Sequence, residues 1–237
     1  MRDLATASAP SPSLALDPSL ALIFDLDGVI VDSMPMHIAA WKRYLKSLGI
    51  AAADLTQRMH GRRNDEIFRD LLGPEPSDAE IDAHGAAKEQ LFREMIGEQL
   101  HGHLVPGIRE FLTRASNTPT GLATNAERAN ADFVLDGADL RGFFQVIVDG
   151  SQVERPKPAP DVYLRAAEEL KAAPRNCIVF EDSAVGVSAA RDAGMTVVGV
   201  LTQGKPLPDV DYSVNDFLSL ELAGFLSDQR GTGHVGR

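Results

Sequence analysis

Acidic residues follow two apolar runs of the sequence, in a pattern that suits metal and phosphate chemistry. Asp25 and Asp27 end the run SLALIFDLD and precede Gly28. Side chains two positions apart in an extended chain point the same way, so both carboxylates are expected to face one crevice. Two such carboxylates repel each other when both are charged, which calls for a cation or a shared proton. A turn with solvated aspartates is the alternative.

A second acidic pair follows the apolar run CIVF. Glu181 and Asp182 stand there, directly before Ser183. Carboxylates from two strand ends form an oxygen-rich site for a hard cation such as Mg²⁺. The alternative is helix capping, because Asp182 or Ser183 could cap the helix that follows.

Two further segments carry groups that bind phosphate. Lys157 stands between Pro156 and Pro158, and a stiffened loop lowers the cost of holding an ammonium group against an anion. Thr124 and Asn125 follow the run TGLA, where a hydroxyl, an amide and a helix N-terminus meet an anion. A surface lysine and a plain N-cap threonine are the respective alternatives.

Short apolar runs alternate with helical patterns along the chain. Strands are predicted at 19–25, 120–124, 144–148, 177–180 and 196–200, and helices at 126–136, 158–172, 183–193 and 216–225. This alternation predicts an α/β fold, a Rossmann-like parallel sheet with helices on both faces. Ligands of such sheets bind at the carboxyl ends of the strands, where all four motifs lie.

Residues 35–103 interrupt this alternation, because they contain no convincing strand. Helical spacing of apolar residues predicts one helix around Trp41, which we interpret as a packing residue, and further helices at 67–72 and 81–96. We therefore predict an α-helical cap domain at 35–103, inserted into a core formed by 19–34 and 104–228. Residues 1–18 are predicted to be a flexible tail and 229–237 a loose C-terminus.

Composition excludes several classes of protein. Of the 237 residues, 23 are Lys or Arg and 34 are Asp or Glu, and the net charge of −11 disfavours nucleic acid and anionic membranes as partners. No apolar run approaches the roughly 20 residues of a membrane span, and the N-terminus lacks the pattern of a signal peptide. The single cysteine, Cys177, excludes an internal disulfide and a thiolate zinc site. We interpret Cys177 as a packing residue and expect a cytoplasmic protein.

In the order DLDG, LATN, KPAPD and FEDS, the four motifs resemble those of the haloacid dehalogenase superfamily. The resemblance covers roughly residues 19–215. It is greatest to the branch with a small helical cap, which includes β-phosphoglucomutase and phosphatases of sugar phosphates and of pseudouridine 5′-phosphate.

The resemblance implies a role for each motif residue. Asp25 would be the nucleophile that becomes an aspartyl phosphate, and Asp27 the general acid and then the base. Thr124 would bind phosphoryl oxygens, with Asn125 beside it. Lys157 would neutralise the charge of the phosphate and hold the nucleophile.

The resemblance also implies a Mg²⁺ site and a reaction class. Asp25, the main-chain carbonyl of Asp27 and Asp182 would hold the ion, with Glu181 nearby or ligating. Dehalogenases of the superfamily lack an aspartate at the position of Asp27, so its presence favours phosphoryl transfer to or from oxygen. Phosphonatases use a cap lysine as a Schiff base, and nothing in 35–60 indicates one.

Three cap residues are candidates for substrate binding. His37 would face the site, contacting substrate or orienting Asp27, although an ordinary helix histidine is the alternative. Arg62 and Arg63 resemble a cap loop that reaches over the site, and a solvated loop is their alternative. The mutases usually carry a Ser-Arg pair in the stretch that holds Arg62, Arg63 and Asn64 here. Many relatives have glycine where this chain has Pro156.

We therefore predict a Mg²⁺-dependent phosphatase that hydrolyses a small phosphorylated metabolite through an aspartyl phosphate. A sugar phosphate or a ribosyl or C-ribosyl phosphate is the expected substrate. A phosphomutase of the β-phosphoglucomutase kind is the alternative, because it needs the same core. A binding module without activity would predict a damaged motif, and none of the four is damaged.

Overall fold

The computed structural model describes residues 13–51, 55 and 64–229. Six strands form one sheet: β1 (Ala21–Phe24), β2 (Thr120–Ala123), β3 (Val146–Val148), β4 (Cys177–Glu181), β5 (Thr196–Val200) and β6 (Tyr212–Val214). Their order is β3-β2-β1-β4-β5-β6, and every pair is parallel. The predicted parallel α/β core is confirmed. The short edge strand β6 was not predicted from the sequence.

Nine α-helices lie in the described part of the chain. They are α1 (Met34–Ser47), α2 (Asn64–Leu72), α3 (Asp78–Gly97), α4 (Leu100–His103), α5 (Ile108–Arg114), α6 (Arg128–Gly137), α7 (Asp161–Glu169), α8 (Ala184–Asp192) and α9 (Leu220–Asp228). Short 3₁₀ helices cover Arg141–Phe143, Gly150–Gln152 and Pro174–Asn176. The four helices predicted in the core correspond to α6 to α9, and α5 was missed.

Both faces of the sheet are covered by apolar packing. Alternate residues of β1 point to opposite sides, so Leu22 and Phe24 join one buried cluster while Ala21 and Ile23 join the other. All four are fully buried, which explains the uninterrupted apolar run of this strand. The packing holds the carboxyl ends of the strands in fixed positions.

A helical cap lies between β1 and β2, as predicted. Trp41 of α1, Ile67 and Phe68 of α2 and Ile81 of α3 form an apolar cluster separate from those of the sheet. Among the described residues between α1 and α4 there is no strand. The boundaries at 35 and 103 stay a prediction.

The predicted N-terminal tail is too long. Leu14 belongs to a core cluster and is 9% exposed, and its N–H donates to the carbonyl of Arg114 at 2.8 Å. The apolar side chain therefore anchors this part of the predicted tail. Residues 1–12 and 230–237 lie outside the described residues. A flexible N-terminal tail and a loose C-terminus therefore stay predictions for these two segments.

Candidate active site

The pairing of β1 with β4 brings the two acidic motifs together. Phe24 of β1 lies opposite Phe180 of β4, so Asp25 and Glu181 leave adjacent strands at the same edge of the sheet. The Asp25 N–H donates to the carbonyl of Phe180 at 3.0 Å, which extends the ladder by one bond. Register between these strands therefore sets the position of the Asp25 carboxylate.

Lys157 is buried between these carboxylates. Its Nζ lies 2.7 Å from Oδ1 of Asp25 and 2.8 Å from Oε1 of Glu181. The side-chain amide of Asn125 accepts from the Lys157 N–H at 3.1 Å and donates to its carbonyl at 3.3 Å. The alternative of a surface lysine is wrong, since Lys157 is 8% exposed. Its following peptide bond, to Pro158, is cis.

Both oxygens of Glu181 are saturated with donors. Oε1 accepts from Lys157 and from the hydroxyl of Tyr163 at 2.9 Å. Oε2 accepts from the N–H of Ser183 at 2.9 Å and from its hydroxyl at 3.0 Å. Glu181 is fully buried, so these four bonds compensate for lost hydration. Tyr163, whose ring centroid lies 4.6 Å from the Lys157 Nζ, was not predicted as a site residue.

Three carboxylates form a cluster that one cation would fit. One oxygen each of Asp25, Glu181 and Asp182 lies within 4.8 Å of the others. Burial, reinforced by Glu181 and by the neighbouring aspartates, raises the pKa of Asp182 to about 9. Burial likewise raises the pKa of Asp25 to about 7, although Lys157 opposes the shift. Mg²⁺ prefers oxygen ligands, and its positive charge would offset the repulsion among these carboxylates.

Gly28 provides space for this cluster. Its φ is +75°, a conformation that favours glycine, and a Cβ at this position would overlap the Asp182 carboxylate. Ser183 is the N-cap of α8, and its hydroxyl accepts from the Gly186 N–H at 3.0 Å. The capping alternative therefore holds for Ser183, whereas Asp182 joins the carboxylate cluster.

Asp27 lies apart from the three clustered carboxylates, on the side of the cap. Its Oδ1 accepts from the Ser33 hydroxyl at 2.5 Å and lies 3.7 Å from Nε2 of His37. Burial opposes its charge, but His37, Ser33 and the ammonium of Lys88 outweigh this effect and lower the pKa of Asp27. The chain turns after β1, so Asp27 has different neighbours from Asp25, yet its charge still contributes to the raised pKa values of Asp25 and Asp182.

The partner of His37 was not predicted from the sequence. Nζ of Lys88 on α3 lies 3.1 Å from Nδ1 of His37 and 2.5 Å from Oε1 of Glu89. The His37 ring stacks on Phe92, with ring centroids 3.8 Å apart. A lysine in the middle of a long helix gives no signal of burial, since its environment depends on how α3 packs.

Thr124 is buried at the end of β2, and its hydroxyl accepts from the Ala126 N–H at 3.0 Å. The plain N-cap alternative is wrong, because Glu127 is the N-cap of α6.

Arg62 and Arg63 lie outside the described residues. Within the described ranges, we find no helix with the length and apolarity needed to cross a membrane.

The chain has a parallel α/β sheet, a helical insertion after the first strand and a cluster of carboxylates at the strand ends. Together these features define the class of capped α/β hydrolases. Residues 20–194 match the family model for haloacid dehalogenase-like hydrolases. The chain therefore belongs to the haloacid dehalogenase-like hydrolase family.

Relatives include both mutases and phosphatases. The chain is 32% identical over 208 residues to a beta-phosphoglucomutase from Bacillus subtilis, covering 85% of this chain and 92% of the relative. It is 34% identical to a phosphorylated carbohydrates phosphatase from Thermotoga maritima, covering 79% and 89%. The crystal structure of a family IA HAD hydrolase from Entamoeba histolytica superimposes with a TM-score of 0.79 at 25% identity, covering 89% and 100%.

Proposed function

We propose that the protein is a Mg²⁺-dependent phosphatase that hydrolyses a small phosphorylated metabolite through an aspartyl phosphate on Asp25. The observation that carries this proposal is the contact of 2.7 Å between Lys157 and Asp25, inside a cluster with the buried Glu181 and the half-buried Asp182. A carboxylate attacks an anionic phosphate only where positive charge compensates the repulsion. Lys157 supplies one such charge.

Mg²⁺ would be held by the carboxylates of Asp25 and Asp182 and by the main-chain carbonyl of Asp27. Glu181 has four donors on its two oxygens, so we propose that it acts through charge and by holding Lys157, without ligating the ion directly. When bound, the ion supplies Lewis-acid stabilisation of charge on the transferring group.

Asp25 performs the nucleophilic step in this proposal. Its carboxylate attacks phosphorus, the bond to the leaving oxygen breaks, and the phosphoryl group is transferred to Asp25. Lys157 stabilises the charge of the phosphoryl oxygens and keeps Asp25 oriented, because Nζ is also fixed by Glu181. The buried Thr124 hydroxyl at the end of β2 would bind a phosphoryl oxygen, with Asn125 holding the loop of Lys157.

Asp27 would transfer the protons. An arriving phosphate brings negative charge that raises its lowered pKa and favours protonation, so Asp27 donates to the leaving oxygen. The resulting carboxylate then accepts a proton from the water that cleaves the aspartyl phosphate. Ser33 and His37 stabilise this charged form.

A sugar phosphate or a ribosyl or C-ribosyl phosphate is the proposed substrate class. Support comes from the name of the Thermotoga relative, a phosphorylated carbohydrates phosphatase. The net charge of −11 argues against nucleic acid and membranes as partners, and we propose a cytoplasmic location. Arg62 and Arg63 stay proposed substrate contacts of the cap.

A phosphomutase is the second candidate, favoured by the 32% identity to a beta-phosphoglucomutase over 85% of this chain. A mutase returns the phosphoryl group to a sugar faster than to water. The phosphatase is preferred because Arg62-Arg63-Asn64 replaces the usual Ser-Arg stretch, and the amide of Asn64 donates inward to Glu89 at 2.6 Å.

The test is phosphate release from a panel of sugar and ribosyl phosphates, with Mg²⁺ and with a chelator. We expect Mg²⁺-dependent release that Asp25→Asn abolishes. In parallel, β-glucose 1-phosphate with a trace of the 1,6-bisphosphate is assayed for glucose 6-phosphate. Isomerisation without phosphate release would favour the mutase, and a fully active Asp25→Asn variant would refute the nucleophile.

A further inference from the structure

A polar contact joins the cap to the core where α3 packs against α6. Lys88 and Glu89 on α3 and Asn130 on α6 are each at most 4% exposed. Asn130 lies outside the four motifs and outside the carboxylate cluster. A buried amide at this interface is costly unless its donor and acceptor are both satisfied.

Asn130 satisfies both of its polar atoms with one helix. Its Nδ2 donates to Oε2 of Glu89 at 2.8 Å, and its Oδ1 accepts from the Arg93 guanidinium at 2.6 Å. Glu89 and Arg93 are four residues apart, so they lie on the same face of α3. A side-chain amide can donate to a carboxylate and accept from a guanidinium at the same time, so Asn130 suits the oppositely charged pair Glu89 and Arg93.

Glu89 extends the contact into the cap. Its Oε1 accepts from the Asn64 amide at 2.6 Å, at the first residue of α2. The same oxygen lies 2.5 Å from Nζ of Lys88, which contacts His37. His37 in turn lies 3.7 Å from the Asp27 carboxylate. A chain of direct contacts therefore runs from α6 through the cap to Asp27.

Apolar packing surrounds this contact but cannot fix its register. Phe92 and Ile96 of α3 are buried in the core cluster, and Phe133 of α6 lies beside Gly97. Apolar burial is non-directional, so it specifies the position of one helix along the other less sharply than hydrogen bonds do. Hydrogen bonds to a single amide specify one relative position.

We propose that Asn130 is a positioning residue, the core-side anchor that fixes α3 through Glu89 and Arg93 and so sets the place of Lys88 and His37 beside Asp27. The kinetic consequence rests on the proposed function. The mechanical consequence, a cap held in one position on the core, does not depend on it.

The test begins with Asn130→Asp, studied at pH 8, where the Arg93 guanidinium at 2.6 Å favours the ionised form of the new carboxyl group. This isosteric change keeps the Arg93 contact and turns the Glu89 contact into repulsion. Amides of α3 should exchange with deuterium about tenfold faster than in the wild type. A change of this size is expected from the loss of one hydrogen bond to a charged group. Asn117→Asp makes the same chemical change at an exposed position and should leave exchange unchanged.

A double variant in which the amide and the carboxylate trade places tests whether the hydrogen bond can be restored. In the double variant Glu89→Gln with Asn130→Asp, an amide on α3 donates to a carboxylate on α6, so the hydrogen bond is restored with its two groups swapped. Slow exchange of α3 should return at least in part. A double variant that exchanges as fast as Asn130→Asp alone would overturn the proposal, as would wild-type exchange in Asn130→Asp.

Kinetics separate positioning from general damage. With the phosphate ester identified by the panel, Asn130→Asp should lower kcat about tenfold while Mg²⁺ affinity, measured by calorimetry, stays unchanged, because the carboxylate cluster lies in the core. An unchanged kcat contradicts the link to Asp27. If no ester is hydrolysed by the wild type, the proposed function fails while the exchange experiment still decides the anchor.

Fluorescence of Trp41, the only tryptophan, reports whether the cap stays folded. If Asn130→Asp unfolds the cap, Arg93→Met replaces it, since this half-buried side chain keeps its alkyl part and loses only the bond to Asn130. Faster exchange of α3 in Arg93→Met supports the anchor, and wild-type exchange overturns it.

Discussion

Asp25 and Asp27 stand two positions apart in the chain, yet their carboxyl groups lie in opposite electrostatic surroundings. Burial and neighbouring carboxylates raise the pKa of Asp25 to about 7, whereas His37, Ser33 and Lys88 outweigh burial and lower that of Asp27. Without ligands this order is the reverse of the proposed roles, so bound Mg²⁺ would have to lower the pKa of Asp25 and an arriving phosphate would have to raise that of Asp27. The difference arises because Asp25 continues the sheet and Asp27 turns towards the cap.

The first prediction separates the two roles. Asp25→Asn should abolish turnover and leave no phosphoryl group on the protein after acid quench. Asp27→Asn should lower turnover of an alkyl phosphate about 10²–10⁴-fold, the range of general acid–base catalysis, yet still trap phosphate with an aryl ester, whose leaving group needs no proton. The exposed Asp192→Asn is the control. Equal trapping by Asp25→Asn would contradict the assignment.

The second prediction concerns the buried ammonium. Lys157→Met leaves the carboxylates of Asp25 and Glu181 without their cation, so the free energy of unfolding should fall by about 3–5 kcal/mol. Saturating Mg²⁺ should recover part of this loss by neutralising the same carboxylates. Urea denaturation with and without Mg²⁺ measures both effects, with the exposed Lys205→Met as control. A loss that Mg²⁺ does not reduce would argue against a shared site.

The third prediction is that Mg²⁺ displaces protons. The folded-state pKa values of about 7 for Asp25 and about 9 for Asp182 exceed the ordinary value of 3.8. Without the ion, the folded state therefore binds more protons than the unfolded state, and stability falls as pH rises from about 4 to 9. Mg²⁺ should stabilise the protein more at pH 9 than at pH 6.

Calorimetry checks the proton release directly. At pH 7, Mg²⁺ titrations in two buffers with different ionisation enthalpies should give different heats, because a proton leaves the Asp182 carboxyl group on binding. Identical heats in both buffers would show that the carboxylates are already ionised without the metal.

The fourth prediction uses two glycines with the same backbone conformation. Gly28 and Gly49 have φ of +75° and +72°, but a Cβ on Gly28 would overlap Asp182, whereas one on Gly49 has nothing within 4 Å. Gly49→Ala should cost about 1–2 kcal/mol of strain and leave Mg²⁺ affinity intact. Gly28→Ala should cost more and weaken Mg²⁺ binding. Equal Mg²⁺ affinities would remove Asp182 from the site.

Much of the sheet was predictable from sequence because its signals are local. An apolar run such as CIVF, followed by acidic residues, predicts a buried strand that ends at carboxylates, and parallel pairing then brings Asp25 and Glu181 together. By contrast β6 has only three residues, one of them Ser213, and gives no comparable signal.

The cap side of the site was not predictable in the same way. Lys88, Glu89 and Asn130 meet only because α3 packs on α6, and no local pattern in either helix records that packing. Tyr163 was missed for a related reason, since a tyrosine in the first turn of α7 is indistinguishable from a packing residue until its hydroxyl is seen on Glu181.

The longest helix has a consequence for motion. At 20 residues α3 is about 30 Å long, and it places Ile81 in the apolar cluster of the cap and Phe92 and Ile96 in that of the sheet. A continuous helix behaves as a stiff rod, so its two ends cannot tilt independently. Any movement of the cap relative to the sheet would therefore pivot this rod as a whole or bend it near Gly85, where the side chain is absent.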